Sequence, residues 1–192
     1  MLPFKSTIAK FTIHIAYQCR WHTFIRELIS RYCKENGKIL FVGTANGNEI
    51  PFDNRFSFYA LEQLNNSVRN IDTMKCKKII CGDFEDETLL IDDSNGIDVI
   101  CALRCMTPNT RIEKFLQFAD RNLKKDGVII ISYPMGYLDK DNLFKPLPEA
   151  KNKLVAFTNN ISRILSEKTN YTMEKGVENI AESFFFLKRK EI

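Results

Sequence analysis

The residues best placed to do chemistry fall in short groups, each closing an apolar run. Gly43-Thr44-Ala45-Asn46-Gly47 follows Ile39 to Val42, and Glu62-Gln63 follows a run that ends at Leu61. Gly82-Asp83-Phe84 follows the run to Cys81, and Arg104 follows Ile97 to Leu103. An apolar run that breaks into a glycine turn outlines a buried parallel strand whose turn lets a ligand approach the backbone. A carboxylate ending the neighbouring strand suits a ribose. The groups therefore read as a nucleoside-cofactor site. A nicotinamide dinucleotide stays open at this point, because strand, glycine turn and Glu62 would serve it too.

The elements that must position these residues follow from periodicity. Trp21, Phe24, Ile25, Leu28, Ile29, Tyr32 and Cys33 form one face of a helix expected from Tyr17 to Lys34, stopped by Asn36-Gly37. Its other face carries Arg20, His22, Arg26, Glu27 and Arg31. Strands are expected at Lys38 to Val42, Arg55 to Leu61, Lys77 to Cys81, Ile97 to Leu103 and Val128 to Ser132. Pro51 leaves little room for a helix after the glycine turn. Asn65 to Met74 reads as a helix, and Glu85, Asp86 and Glu87 suit the start of another through the macrodipole.

Asp92 to Gly96 has the composition of a turn. Thr107-Pro108 has the form of an N-cap with proline at the first helical position, ahead of a buried stripe at Ile112, Phe115, Leu116, Ala119 and Leu123. Lys124 to Gly127 should close that helix. Tyr133 to Pro148, with three prolines, reads as a long substrate-covering loop. A helix from Ala150 to Lys168 and closing strands at Tyr171 to Ile180 and Glu182 to Lys188 complete the order. Residues 1–16 read as an arm, its alternation at 12–15 fitting either a short strand or an extended segment, and residues 17–192 as one domain. The alternation specifies an α/β fold: a doubly wound, mostly parallel seven-stranded sheet with a C-terminal antiparallel strand pair. Ligands bind such sheets at the carboxyl ends of the strands, where the chemical residues fall.

Bulk properties narrow the classes. The 192 residues are 44% apolar and 27% charged, ordinary for a globular chain, with a net charge of +4 compatible with an anionic substrate such as nucleic acid. The cysteines at 19, 33, 76, 81, 101 and 105 include no Cys-x-x-Cys pair, which argues against zinc. No apolar run approaches the roughly 20 residues that cross a bilayer, and no leader opens the chain. A soluble protein of a reducing compartment, the cytoplasm, is the expectation.

With all these groups in place, the sequence resembles the class I S-adenosylmethionine-dependent methyltransferases from about Tyr17 to Lys188. Gly43, Ala45 and Gly47 match the family's glycine-rich turn, with alanine in the middle place and Thr44 between. The resemblance implies that Glu62, with Gln63 beside it, meets the ribose hydroxyls. It implies that Asp83 faces the adenine amino group and that the Phe84 amide faces the ring. Cys101, Ala102, Leu103 and Arg104 match the segment that holds the methionine part. The closing strand pair matches the addition that separates this fold from nicotinamide-binding relatives. S-adenosylmethionine is the cofactor so implied, and in-line methyl transfer the reaction.

A sulfonium makes its methyl group electrophilic. The protein must then chiefly hold an acceptor in line, and a general base is needed only if the acceptor must lose a proton. Arg104 and Tyr133 are the expected catalytic residues, with Tyr137 beside them. Two departures stand out: Phe41 occupies the place of a common acid, and the helix after the turn is truncated. They keep open a noncatalytic subunit that binds a protein partner through the Tyr17 helix or the aromatic C-terminal strand.

Ala102 to Pro108 lacks the Asn/Asp-Pro-Pro-aromatic signature of amino-methylating DNA enzymes. It also lacks the aspartate of Lys-Asp-Lys-Glu ribose enzymes. The aromatic and basic stretch Tyr17 to Arg26 is similar to the helix preceding the cofactor domain of mRNA cap guanine-N7 methyltransferases. That likeness points to RNA, or a cap guanine, as acceptor. Trp21 reads as a core anchor, His22 as a surface histidine and Cys105 as an unactivated thiol.

Overall fold

The structure is a computed structural model that describes residues 20–91, 96–138, 144–168, 170–178 and 182–190. The expected arm, Tyr17, Cys19, the turn residues 92–95 and Ile180 lie outside them. The chain enters on α1 (20–30) and continues through β1 (Lys38–Val42), β2 (Ser57–Glu62), α2 (Asn65–Val68), β3 (Lys78–Cys81) and β4 (Ile97–Leu103). After these come α3 (Ile112–Asn122), β5 (Leu123–Pro134), β6 (Gly136–Leu138) and β7 (Phe144–Pro146). The chain closes with α4 (Ala150–Lys168), β8 (Tyr171–Glu178) and β9 (Glu182–Arg189).

Seven strands form one sheet in the order β3-β2-β1-β4-β5-β9-β8. The first five are parallel, and β9 runs antiparallel to both β5 and β8. Strand order reverses on either side of β1 and β4, so their carboxyl ends open a crevice. This is the doubly wound sheet with a closing antiparallel pair that the sequence specifies.

Alternation along β1 divides the core. Ile39 and Phe41 point to the face covered by α1 through Ile25, Leu28 and Ile29. Leu40 and Val42 point to the face covered by α3 and α4 through Phe115, Phe118, Phe157 and Ile161. Each helix buries one stripe at 3.6-residue spacing against a strand face of period two. Trp21 belongs to this packing, with its ring 6.1 Å from those of Phe24 and Phe184.

Four local expectations fail, each for a physical reason. The helix expected over Asn65 to Met74 is a single turn, since α2 buries no residue and has no stripe to extend. The acids at 85–87 start no helix: Glu85 and Glu87 reach across to Arg111 and Lys114, each at 2.6 Å. Thr107 does not cap α3. Its N–H donates to Thr110 Oγ1 at 2.8 Å in a separate turn, and the helix begins at Ile112. Lys124 to Gly127 belong to β5, because Leu123 leaves the helix in extended geometry and pairs with Ile97. Within the Tyr133 to Pro148 loop, β6 and β7 form a small antiparallel ribbon. Among the described residues no helix is long and apolar enough to cross a membrane.

Candidate active site

The carboxyl ends of β1, β2, β3 and β4 enclose a cavity of about 320 Å³. Its wall brings together Gly43, Glu62, Gln63, Asp83 and Phe84, which the sequence singles out, with Cys105, Met106 and the turn leading to α3. The geometry of the glycine turn explains its composition. Gly43 has φ of +66°, and a Cβ there would meet the Cβ of Cys105 at 2.6 Å, so both conformation and space require glycine. Ala45 also takes a positive φ, of 50°, held because its N–H donates to Glu62 Oε2 at 2.8 Å.

Glu62 is buried and works in two directions. Its second oxygen accepts the Leu64 N–H at 3.1 Å, so the carboxylate ties the β1 turn to the end of β2. A carboxylate has about four lone-pair sites, so two remain for hydroxyls of a ligand. Asp83 is fixed similarly: Gln63 Nε2 donates to Oδ2 at 2.7 Å and the Glu85 N–H to Oδ1 at 2.9 Å. Phe84 stands edge-on to Phe115 with ring centres 5.7 Å apart, an anchored apolar wall for a flat ring. A pocket of this size, bounded by an acid on β2, an acid on β3 and a glycine with no room for a side chain, fits a nucleoside.

Other expected cofactor residues lie elsewhere. Cys101, Ala102 and Leu103 are buried within β4, where the ladders to β1 and β5 consume their backbone groups up to the Leu103 to Ser132 pairing. The strand breaks one residue later, at Arg104 with φ of +59°, and it is Cys105 to Thr107 that face the cavity. Gly47 is small because a Cβ would press on Ile71 at 3.0 Å, and neither it, Thr44 nor Ala45 lines the cavity. Burial pushes the Cys105 thiol up to about 12, which removes it as a nucleophile.

Arg104 is not a free catalytic cation. Its Nε lies 2.6 Å from Oε1 of the fully buried Glu182 on β9, and its guanidinium sits 5.8 Å from the Trp21 ring centre. Its N–H donates to Ser132 Oγ at 3.1 Å. Burial pushes the Glu182 carboxyl up to about 7 despite Arg104 and Ser132. Tyr133 is buried, with its ring 5.0 Å from that of Phe157. His22 Nε2 donates to Asn48 O, 2.7 Å away, and so pins α1 to the segment after the glycine turn.

Next to Asn48 is a residue that sequence reasoning missed. Glu49 buries its Oε2, which has no hydrogen-bond partner among the described residues. Burial pushes its carboxyl up, Arg104 draws it down, and Glu62 adds to the rise. The Glu49 charge also bears on the Cys105 thiol and the Glu182 carboxyl, although Glu49 does not line the cavity wall itself. The Thr44 hydroxyl is a second buried orphan of the same segment. Buried polar groups without a partner are uncommon, so two of them in one segment stand out. No acid at the end of β1 foretold Glu49, because Phe41 there is core, edge-on to Phe58.

A second cavity, of about 760 Å³, adjoins the first. Both are walled by Met106, Thr107 and Asn109, and the second extends past Arg104 and Tyr133 to Pro134, Pro148 and the first turn of α4. The two pockets adjoin at the switch point of the sheet, at the carboxyl ends of its strands, where ligands of open α/β sheets bind. The fold is that of the class I methyltransferases.

Solved structures agree. An S-adenosylmethionine-dependent methyltransferase from Aquifex aeolicus superposes with a TM-score of 0.63 at 15% identity, over 84% of this chain and 87% of its own. A proposed methyltransferase from Methanococcus maripaludis gives 0.64 at 12%, over 97% and 93%. An S-adenosylmethionine-dependent methyltransferase from Clostridium acetobutylicum gives 0.55 at 12%, over 89% and 91%. No protein-family model and no curated protein matches the sequence.

Proposed function

We propose that the chain is an S-adenosylmethionine-dependent methyltransferase. The observation that carries this reading is the 320 Å³ cavity that sets Glu62, Asp83, Phe84 and Gly43 around one nucleoside-sized space. Glu62 holds the ribose hydroxyls, Asp83 the adenine amino group, and Phe84 one face of the ring. Glu49 offers its unpartnered carboxylate oxygen to the ammonium of the methionine part, in place of the acid that Phe41 displaces. The cofactor supplies an electrophilic methyl group. The chain holds an acceptor at the junction of the two cavities and excludes water with Met106 and Tyr133. Arg104 acts as a positioning residue, clamped by Glu182 and Trp21 so that the β4 end keeps its shape.

An RNA acceptor is the second reading. It is favoured by a hollow at the opposite end of the sheet in which Arg31, Lys125, Lys188, Arg189 and Lys190 outnumber Asp120 and Asp126. The cap guanine is its narrower form. Against it, the Trp21 and His22 side chains of the helix that suggested it are engaged within the fold. The noncatalytic subunit is distinguished by the same experiment as the enzyme: transfer of label from methyl-labelled S-adenosylmethionine into a mixed extract of small molecules, RNA and protein. Incorporation by the wild type that drops at least tenfold in Asp83→Ala supports the enzyme. Cofactor binding without incorporation into any fraction supports the noncatalytic subunit.

A further inference from the structure

The 760 Å³ cavity beside the cofactor space falls within the size range of sites for small organic molecules, about 300–1,000 Å³. Its wall is largely rigid and apolar: Pro108, Pro134, Leu147 and Pro148 stand with Met106 and the buried Tyr133. Proline offers no N–H, so this surface suits a flat or branched hydrocarbon body more than a polar chain. The charged residues on the wall are Arg104 and Lys153, both cations.

These two cations differ. Arg104 lies 2.6 Å from the Glu182 carboxyl and is packed over Trp21, so its guanidinium is engaged within the fold. Lys153 has no acidic partner among the described residues, and it projects from the first turn of α4, which contains no acidic residue. A lysine at the positive end of a helix is unfavourable by itself. The cavity therefore has an apolar body and one uncompensated positive corner.

Resting on the methyltransferase reading, we infer that the acceptor is a small organic anion, its carboxylate or phosphate at Lys153 and its apolar body along the prolines. Its nucleophilic atom points to the junction at Met106, Thr107 and Asn109. In the transfer, a lone pair of that atom forms a bond to the methyl carbon while the carbon–sulfur bond breaks and its electron pair stays on sulfur. The sulfonium becomes a neutral thioether, and any proton on the acceptor leaves to water.

The test uses the full chain and methyl-labelled S-adenosylmethionine. The panel contains aromatic and branched carboxylic acids bearing a hydroxyl, thiol or amine, their matched primary amides, the corresponding phosphate monoesters, and capped and uncapped RNA. Labelling of carboxylates or phosphate esters at least tenfold above the amides is expected, and the ratio of those two arms tells which anion is used. Lys153→Glu should remove that preference while S-adenosylhomocysteine binds as before. The variant should fold, because a glutamate is favoured in a first helical turn. Equal labelling of amides, labelling of RNA alone, no labelling of any anion, or an unchanged preference in Lys153→Glu would overturn the inference. If S-adenosylhomocysteine fails to bind the wild type, the methyltransferase reading itself has failed.

Discussion

Glu62→Gln isolates the double duty of the residue at the end of β2. In the wild type both oxygens accept backbone N–H groups, from Ala45 at 2.8 Å and Leu64 at 3.1 Å. Glutamine has one carbonyl oxygen, so whichever N–H it satisfies, its amide nitrogen confronts the other. The loss is one charge-assisted hydrogen bond together with a buried donor left unmatched, about 2–4 kcal/mol. In a chain of this size each kcal/mol moves the melting temperature by about 2–4 °C, so a fall of roughly 5–15 °C is expected. Because the left-handed Ala45 depends on this contact, the turn should loosen and S-adenosylhomocysteine affinity should drop about tenfold or more. Circular dichroism melting and calorimetric titration read the two effects separately. A variant that melts within about 2 °C of wild type would refute the claim that Glu62 holds the turn.

Other perturbations have equally definite outcomes. Gly43→Ala places a methyl group 2.6 Å from the Cys105 Cβ at a positive φ, so cofactor affinity should fall along with the melting temperature; unchanged affinity would remove the turn from the site. Glu49→Gln should weaken S-adenosylhomocysteine yet leave 5′-methylthioadenosine, which lacks the amino-acid part, unaffected; equal effects on both would place Glu49 outside the methionine end. The Glu182 carboxyl, ordinarily near 4.5, is pushed up to about 7, so the folded chain binds this proton more tightly than the unfolded one. Its contribution to stability is full below about 4.5 and is lost as pH rises to about 7, on the order of 3 kcal/mol. Urea midpoints across pH 4.5–8 should show this slope, and it should flatten in Glu182→Gln.

Strand ends were the legible part of the sequence. Buried parallel strands read as apolar runs and stop at polar residues, so β1, β4 and the strand-end positions of Gly43, Glu62 and Asp83 could be placed without coordinates. What failed depended on contacts between segments distant in sequence. Arg104 lines the second cavity but read as a free cation, because Glu182, its partner on β9, lies far along the chain. Glu85 and Glu87 looked like helix-starting acids because Arg111 and Lys114 could not be seen opposite them. Cys101 to Leu103 carried no mark of the ladder that consumes their backbone, so the cavity-facing segment was placed too early. Glu49 had no motif at all: only burial of its oxygen without a partner sets it apart.

Calorimetric titration of the wild-type chain with S-adenosylmethionine, alongside Asp83→Ala, tests the central claim most directly. Among the described residues the half-buried Asp83 carboxylate accepts from Gln63 Nε2 and the Glu85 amide, both close in sequence or at the same strand ends, so its loss should spare the fold. The account predicts one binding site per chain in the wild type and affinity reduced at least tenfold in the variant at unchanged melting temperature. No heat of binding up to millimolar ligand, or identical affinity in both proteins, would contradict it.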